Sequence, residues 1–428
     1  MSQSGRPLDV LRNRDFRWFW ASDAVDLLGT SMAPVALAFA VLHLDGSAQV
    51  LSQVLAAYIG AHAVFVLVGG LVADRFPRTL VLQGSNVVSF LAQGAVGTLL
   101  VTDRATIGSL LVLVAIGGAA SAFGMPATEG VVPQLVARAN LQQANSLMAF
   151  SRRGSMVLGP AIAGVLVTTA GPGWAIIADS ATFLLATLAL SRVRLPPNSP
   201  VTGSNEVVSF LGQLREGWAH VRSRTWLWVI IAAFGVINAI QAGAWGVLGP
   251  VIAETTPGLG ARGWGLVVSA QAVGAIGMTL ILLRLPLSRP LRYGMVGVSA
   301  MAVPLFLLGF RPETLLLAAA AFFGGAGIEI FGTGWRTALM EQVPPDALSR
   351  VASFDMLGSF IAIPAGTLLY GWLATGADLE TVLIISAIAY AAAALATLLV
   401  PSVRGLRRLD DSATEPGRDL AADATDSR

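Results

Sequence analysis

The sequence predicts an all-α membrane protein whose twelve transmembrane helices form two six-helix, pseudo-symmetric halves. Hydrophobic residues make up 55% of the 428 positions and charged residues only 12%, against about 25% charged in soluble domains. The mean hydropathy is +0.71. A bilayer core about 30 Å thick requires about 20 apolar residues of helix. The apolar stretches therefore separate into twelve predicted spans: 16–43, 50–73, 79–102, 106–130, 142–168, 173–194, 226–253, 263–283, 291–310, 313–335, 348–374 and 380–402.

The placement of the basic residues, all of which are arginines, predicts the orientation of the chain. They concentrate at the N-terminus, in the loops after even-numbered spans and in the tail. Arg104, Arg262 and Arg311 fall on the opposite side. By the positive-inside rule, we expect a plasma-membrane protein with both termini in the cytoplasm. The polar, basic start leads directly into a segment too long for a cleavable signal peptide, and the exclusive use of arginine is typical of a GC-rich bacterial genome.

The chain is expected to divide into two halves, a linker and a tail. The predicted boundaries are 1–194, 195–225, 226–403 and 404–428. The linker begins rich in Pro, Ser and Gly and continues as an amphipathic helix on the membrane surface, whereas the polar tail is predicted to be disordered. Placing Pro160 opposite Pro364 aligns two loops with a few identities. Such parallel repeats of six spans, with a site at the midplane, build many transporters.

Several chemistries are excluded by composition and spacing. The absence of lysine excludes a phosphate-binding loop that ends in Gly-Lys, and the absence of cysteine excludes disulfides and thiolate metal sites. Neither a metal-ligand spacing of histidines and acids nor a nucleophile elbow occurs in the sequence. We therefore expect no enzymatic activity, no cofactor, no metal and no nucleic-acid partner.

The stretch GGLVADRFPR places one acid and two arginines between two uncharged spans. It resembles the loop 2–3 motif of the major facilitator superfamily. The matching residues are Gly70, Asp74, Arg75 and Arg78. Pro77 and Thr79 depart from the motif, which has a glycine and a basic residue there. The resemblance implies that the acid docks against a neighbouring helix end and helps to lock one of two transport states, as helix dipoles and arginines permit. An ordinary membrane boundary is the alternative explanation.

A second stretch, GSMVLGPAIAG in span five, resembles the motif of the drug:proton antiporters of that superfamily. The matching residues are Gly159, Pro160, Ala163 and Gly164. Small residues permit close helix packing and proline bends the span, so simple packing is the alternative. Further pieces between Leu11 and about Leu373 resemble the branch that contains macrolide-efflux proteins and the enterobactin exporter, among them LRNRDFRWFWASDAVDLLG and ADSATFLL. Thr30 stands where that branch often has an acid, so a coupling role for that acid is not carried over.

Asp23 and Asp26 are the first candidates for a proton-coupling site. They lie three residues apart, on one helix face, and roughly 9 to 14 Å below the membrane boundary. Desolvation favours the uncharged form of a carboxyl group, as does a second acid nearby. Alternatively, both acids face a hydrated vestibule and bind Arg17 or solvent. His62 is a further coupling candidate because histidine titrates near neutral pH, although a hydrogen-bonded structural role is the alternative.

Glu129 in span four and the adjacent Arg152 and Arg153 in span five form a second constellation. An unpartnered ion at this depth is costly, so Glu129 is expected to pair with one arginine. Successive helical residues point about 100° apart, so the other arginine snorkels or faces the cavity. In the second half, Glu329 and Asp355 are candidates to complete a relay. Asp179 is interpreted as mainly structural. Further candidates to line the cavity are Asn86, Gln93, Asn238, Gln241, Tyr58, Phe234 and Trp245.

Together these features predict a proton-coupled exporter of a small amphiphilic compound (a drug, an antibiotic or a siderophore) that works by alternating access. The expected partners are this small-molecule substrate, protons and the lipid bilayer, and the protein is expected to be a monomer. An importer or symporter of a small polar solute is one alternative. A non-transporting membrane scaffold or sensor is another. The identity of the substrate does not follow from the scaffold.

Overall fold

The computed structural model describes residues 9–194, 218 and 221–408. Within these residues, eleven helical segments are long and apolar enough to cross a membrane, and the shorter apolar helix Ile107–Ser121 occupies the fourth predicted position. Spans one to six are Arg14–Asp45, Ala48–Arg75, Arg78–Val101, Ile107–Ser121 continued by Gly124–Leu135, Leu141–Ala170 and Pro172–Leu190. Spans seven to twelve are Thr225–Thr255, Gly260–Leu282, Pro290–Phe310, Thr314–Gln342, Pro345–Leu373 and Leu379–Leu399. The all-α, twelve-span prediction is thus confirmed.

Some spans differ from their predicted form. Span four is interrupted after Ser121 and resumes at Gly124 as a second helix that ends at Leu135, beyond the predicted limit. Span seven contains a stretch of wide π-helical turns, Gln241–Leu248, a feature that is often found at functional sites. Span ten continues to Gln342, beyond the predicted end at residue 335. The prediction ended early because the last two turns carry charged residues, and hydropathy identifies only the apolar core of a helix.

Polar caps explain why several helices begin where they do. The side chain of Asn13 accepts hydrogen bonds from two amides at the start of span one, and Ser47 does the same for span two. Span twelve is capped by Asp378, whose carboxylate accepts from the hydroxyl and the amide of Thr381. These hydrogen bonds lower the pKa of the Asp378 carboxyl group, because they stabilise its charged form.

The helix contacts of span five in the first half recur six spans later in the contacts of span eleven. Span five packs against span one of its own half and span eight of the other half, and span eleven packs against spans seven and two. Each of these two bridging helices contains an internal proline, Pro160 in span five and Pro364 in span eleven. This correspondence is the packing pattern that two pseudo-symmetric halves require.

The two membrane faces are named here by their residues. Arg75 and Arg404 mark the arginine-rich face, and Asp45 and Thr255 mark the opposite face. Near the opposite face the halves are in close contact. A Cβ atom on Gly164 would lie 2.6 Å from the carbonyl oxygen of Ala261, so the absence of a side chain allows spans five and eight to meet there.

Two further contacts join the halves near the opposite face. Gly371 of span eleven lies against Ser52 of span two. At the surface of the opposite face, His43 Nε2 is 3.8 Å from Glu254 Oε1, across the boundary between spans one and seven. Spans one and two of the first half and spans seven, eight and eleven of the second half thus contact one another near the opposite face.

The predicted linker and tail fall almost entirely outside the described residues. In the predicted amphipathic helix, residues 218 and 221–224 are described: the Trp218 ring lies 5.9 Å from the ring of Phe354, and Val221 is buried. The proposed boundaries of the linker and of the tail therefore stay predictions.

Candidate functional site

A polar cavity of about 300 Å³ lies inside the first half. All six spans of that half contribute to it, and span one supplies the largest group of residues. The polar and ionisable side chains that line it are Ser22, Asp23, Asp26, Thr30, Tyr58, His62, Ser85, Asn86, Ser89, Gln93, Ser121, Thr128 and Arg152. The cavity is large enough for several waters or part of an amphiphilic molecule.

Three carboxyl groups come together beside this cavity. Asp23 and Asp26 lie on its wall, and Asp179 of span six is completely buried within electrostatic range of Asp26. Gln93 Nε2 donates a hydrogen bond of 3.1 Å to Asp179 Oδ2. Among the described residues, Oδ1 of Asp26 and Oδ1 of Asp179 are buried without any hydrogen-bond partner. The positive charge of the Arg152 guanidinium attracts the carboxylate of Asp23.

Gly29 makes this arrangement of acids possible. A Cβ atom at position 29 would lie 2.6 Å from Asp179 Oδ1 and would also collide with the side chain of Thr182. Spans one and six can therefore approach closely only because this position has no side chain. Gly29 is one turn from Asp26, so the contact brings Asp179 to the level of the first-span acids.

A hydrogen-bonded group on spans two and four completes the wall of the cavity. The hydroxyl of Ser121 donates to the carbonyl oxygen of Gly118 at 2.9 Å. Because that hydroxyl has a single hydrogen, its oxygen accepts from Tyr58 at 3.2 Å and from His62 Nδ1 at 2.9 Å. This geometry places the hydrogen of neutral His62 on Nδ1. His62 is thus tied to a defined network at the edge of the cavity.

The two adjacent arginines of span five lie in different environments. Arg152 lines the cavity of the first half. Arg153 reaches span ten of the second half, where its two terminal nitrogens lie 3.2 and 3.3 Å from the carboxylate oxygens of Glu329. Arg336 lies 3.7 Å from the same carboxylate. The side chain of Glu129, the partner expected from the sequence, lies outside the described part of the structure.

The other polar candidates of the second half are engaged within that half. Asp355 accepts a hydrogen bond of 3.0 Å from Trp335 Nε1, and Asn238 donates to Ser359 at 3.0 Å. Gln241, in the π-helical stretch, has a buried Oε1 without a partner among the described residues. The aromatic candidates pack on other rings: the Phe234 ring stacks on Phe331 with 4.0 Å between ring centroids, and the Trp245 ring is tilted by 49° against Trp264 at 4.8 Å. None of these side chains lines the first-half cavity.

The two sequence motifs lie at helix contacts. In the loop 2–3 motif, a Cβ atom on Gly130 would occupy the position of the Arg78 guanidinium, so Arg78 lies directly against span four. The Arg75 side chain is exposed. The surroundings of Gly70 and of the Asp74 side chain lie outside the described part of the structure.

The span-five motif forms two interfaces at once. Gly159 lies against Ser31 of span one, where an added Cβ would come within 2.5 Å of the serine side chain. The carbonyl of Pro160 abuts Gly265 of span eight, Ala163 is completely buried, and Gly164 meets Ala261. A hydrogen bond of 2.6 Å from Ser269 Oγ to the carbonyl of Val157 strengthens the contact between the halves.

Two residues of the site, Asp179 and Gly29, are not identified as site residues by sequence pattern alone. Asp179 was expected to be mainly structural, yet it lies in the acid cluster. Its position in the middle of an apolar span was an available signal, because such an acid is costly there. Gly29 does not stand out in the sequence, because its role depends on the partner helix, which no single-span pattern specifies.

Comparison with known proteins identifies the family. The model of the family described as transmembrane secretion effector matches residues 6–426. Macrolide efflux protein A of Streptococcus pyogenes is 24% identical over 363 residues, which cover 83% of this chain and 88% of that protein. Multidrug efflux pump Tap of Mycobacterium tuberculosis is 23% identical over 389 residues, covering 88% and 91%. The enterobactin exporter EntS of Salmonella choleraesuis is 32% identical over 148 residues, covering 32% and 34%.

Solved structures with the same fold include the nucleoside transporter NupG. It superimposes with a TM-score of 0.70 at 13% identity and covers 90% of this chain and 98% of its own. This similarity establishes the fold. With the family model matched along almost the whole sequence, the chain belongs to the transmembrane secretion effector family of the major facilitator superfamily.

Proposed function

We propose that the protein exports a small amphiphilic compound from the cytoplasm in exchange for protons. The observation that carries this proposal is the acid cluster of the first half, in which Asp26 and Asp179 each have a buried, unpartnered carboxyl oxygen beside a polar cavity. Efflux is also the activity named for the relatives from Streptococcus and Mycobacterium.

The acid cluster supplies the coupling in this proposal. A buried carboxylate without a partner is costly, and either a bound proton or a cationic group of the substrate removes that cost. A proton and a cationic substrate would therefore compete for Asp26 and Asp179. Because the two ligands exclude each other, the transporter would change orientation outward with the substrate bound and return with the proton bound, which is the requirement for exchange.

Alternating access would come from relative movement of the two halves. We place the arginine-rich face in the cytoplasm because of the positive-inside rule. The contacts of Gly164 with Ala261 and of Gly371 with Ser52 would then close the space between the two halves on the external side. Separation of spans five and eight, and of spans two and eleven, would open that side. A monomer suffices for this cycle, since all of the named groups belong to one chain.

Arg78 would bias the two orientations. Its contact with span four at Gly130 links the loop between spans two and three to a helix of the cavity wall. Movement of that loop would then be transmitted to Ser121 and Thr128 on the same span. In this account Asp74 acts with Arg75 and Arg78, as the family motif implies.

Transport into inside-out membrane vesicles tests the direction of movement. When the interior of the vesicles is more acidic than the medium, vesicles that contain the protein should accumulate an amphiphilic cationic dye. A protonophore should abolish this accumulation. Vesicles without the protein are the control. Accumulation that requires the opposite gradient, with the acid outside the vesicle, would instead make the protein a symporter. Failure of a panel of lipophilic cations, macrolides and siderophores to move in either orientation would favour a scaffold.

A further inference from the structure

A second pocket, far in sequence from the acid cluster, lies at the arginine-rich face of the second half. It has a volume of about 560 Å³ and forms between the start of span nine and the segment that follows span twelve. Arg289 and Arg292 line one wall, and Arg404 and Arg407 line the other. Leu398, Pro401 and Gly405 contribute the rest of its surface. We name this site the four-arginine pocket.

The positive charge of the four-arginine pocket is not neutralised by the described protein. Within residues 9–194, 218 and 221–408, none of its four arginines forms an ion pair with a carboxylate. The neighbouring Arg408 is different, because its Nε lies 3.2 Å from Glu341. Arg289 is half-buried and the other three arginines are exposed, and four positive charges around one pocket favour an anion placed among them.

The walls of the pocket are held in place by backbone contacts. The amide of Arg408 donates to the carbonyl of Ser288 at 3.2 Å, and Gln342 Nε2 approaches the carbonyl of Arg407 at 3.4 Å. These bonds attach the segment after span twelve to the loop before span nine and to the end of span ten. The two segments that line the pocket are therefore held together without the help of a ligand.

The surroundings of the pocket indicate a ligand that is part charged and part apolar. Leu399, next to Leu398, is 79% exposed, and Tyr293, one residue after Arg292, is 45% exposed. In a protein that spans the membrane, exposed leucines contact acyl chains, and a half-exposed tyrosine is typical of the headgroup level. The pocket thus lies at the boundary where a lipid presents its phosphate.

We propose that the four-arginine pocket binds the phosphate of an anionic phospholipid, with the acyl chains along the surface at Leu399. The planar guanidinium group binds phosphate oxygens in pairs, and four such groups suit a headgroup with one or two phosphates. Basic pockets on helices at the cytoplasmic surface are suited to such headgroups. The bound lipid would tie the loop before span nine to the segment after span twelve.

Native mass spectrometry of the full-length protein, titrated with phosphatidylglycerol or phosphatidylcholine, tests this site. The pocket variant is Arg292→Gln with Arg404→Gln, which removes one charge from each wall. The matched control is Arg138→Gln with Arg222→Gln, two exposed arginines of the same face outside the pocket. The pocket variant should lose about 30-fold in affinity for phosphatidylglycerol, while the control variant retains most of that affinity and binding of phosphatidylcholine changes little in both.

Two further arms separate the possible outcomes. Arg292→Lys with Arg404→Lys retains the charge but loses the planar fork, so its affinity should lie between those of the wild type and the glutamine variant. Inorganic phosphate has no acyl chains, so an excess of it should leave phosphatidylglycerol bound. Displacement of the lipid by phosphate would overturn the lipid assignment. Equal losses in the pocket and control variants would overturn the site itself. The lipid readout is independent of any transported substrate.

Discussion

Arg153 of span five and Glu329 of span ten join the two halves of the protein through a bidentate ion pair, with nitrogen–oxygen distances of 3.2 and 3.3 Å. The carboxylate is mostly buried, with 13% of its side chain exposed. Spans five and ten belong to different halves, so any relative movement of the halves must either carry this pair along or break it.

Removal of either partner should therefore destabilise the protein. Arg153→Gln or Glu329→Gln leaves the other charge without its closest partner, and the double variant should recover part of the loss. We expect a coupling of about 1 to 3 kcal/mol from a double-mutant cycle on thermal unfolding. Arg336→Gln is the control, because Arg336 is 58% exposed and 3.7 Å from Glu329. Additive single losses would show that the pair contributes no coupling.

Gly29→Ala should disrupt the acid cluster. The added methyl group would collide with Thr182 and approach Asp179 Oδ1 to 2.6 Å, so we expect a loss of about 1 to 3 kcal/mol in stability together with reduced transport. Gly60→Ala is the matched control because nothing lies within 4 Å of its added Cβ. Thr182→Ala in the Gly29→Ala background should restore part of both properties, and an absence of rescue would argue against this contact as the cause.

Gly265→Ala should favour opening at the opposite face. Its Cβ would collide with the carbonyl of Pro160, a backbone atom that cannot rotate away, whereas Gly277 on the same helix has open space. The natural chain contains no cysteine, so Asp45→Cys with Thr255→Cys gives a clean pair for spin labels. Gly265→Ala should lengthen the label distance across the face, and Gly277→Ala should not. Identical distributions for both variants would contradict the proposed role of this contact.

The fold followed from hydropathy because membrane thickness fixes the length of each span. The predicted span 16–43 became Arg14–Asp45, and 263–283 became Gly260–Leu282. The break after Ser121 was not predicted, since its residues are as apolar as those around them. Hydropathy measures transfer into lipid and is insensitive to such local departures from regular helix.

The site was predicted only in part, for a related reason. Asp23, Asp26, His62 and Arg152 stand out as polar groups within apolar spans, and the structure places all four on one cavity. The partner of Arg153 could not be found this way, because Glu329 is 176 residues away and helix periodicity does not specify which spans are neighbours. The same limit explains why Asp179 was assigned a structural role.

Exchange of substrate for protons at Asp26 and Asp179 is tested most directly by substrate-triggered proton movement in proteoliposomes. The wild type, Asp26→Asn and Asp179→Asn are compared with Asp103→Asn. Asp103 is an exposed acid with φ of 55°, a conformation that asparagine tolerates. We predict proton flux coupled to an amphiphilic substrate in the wild type and in Asp103→Asn, and loss of at least about 10-fold in either cluster variant. Unchanged coupled flux in both cluster variants would contradict the assignment of the proton site.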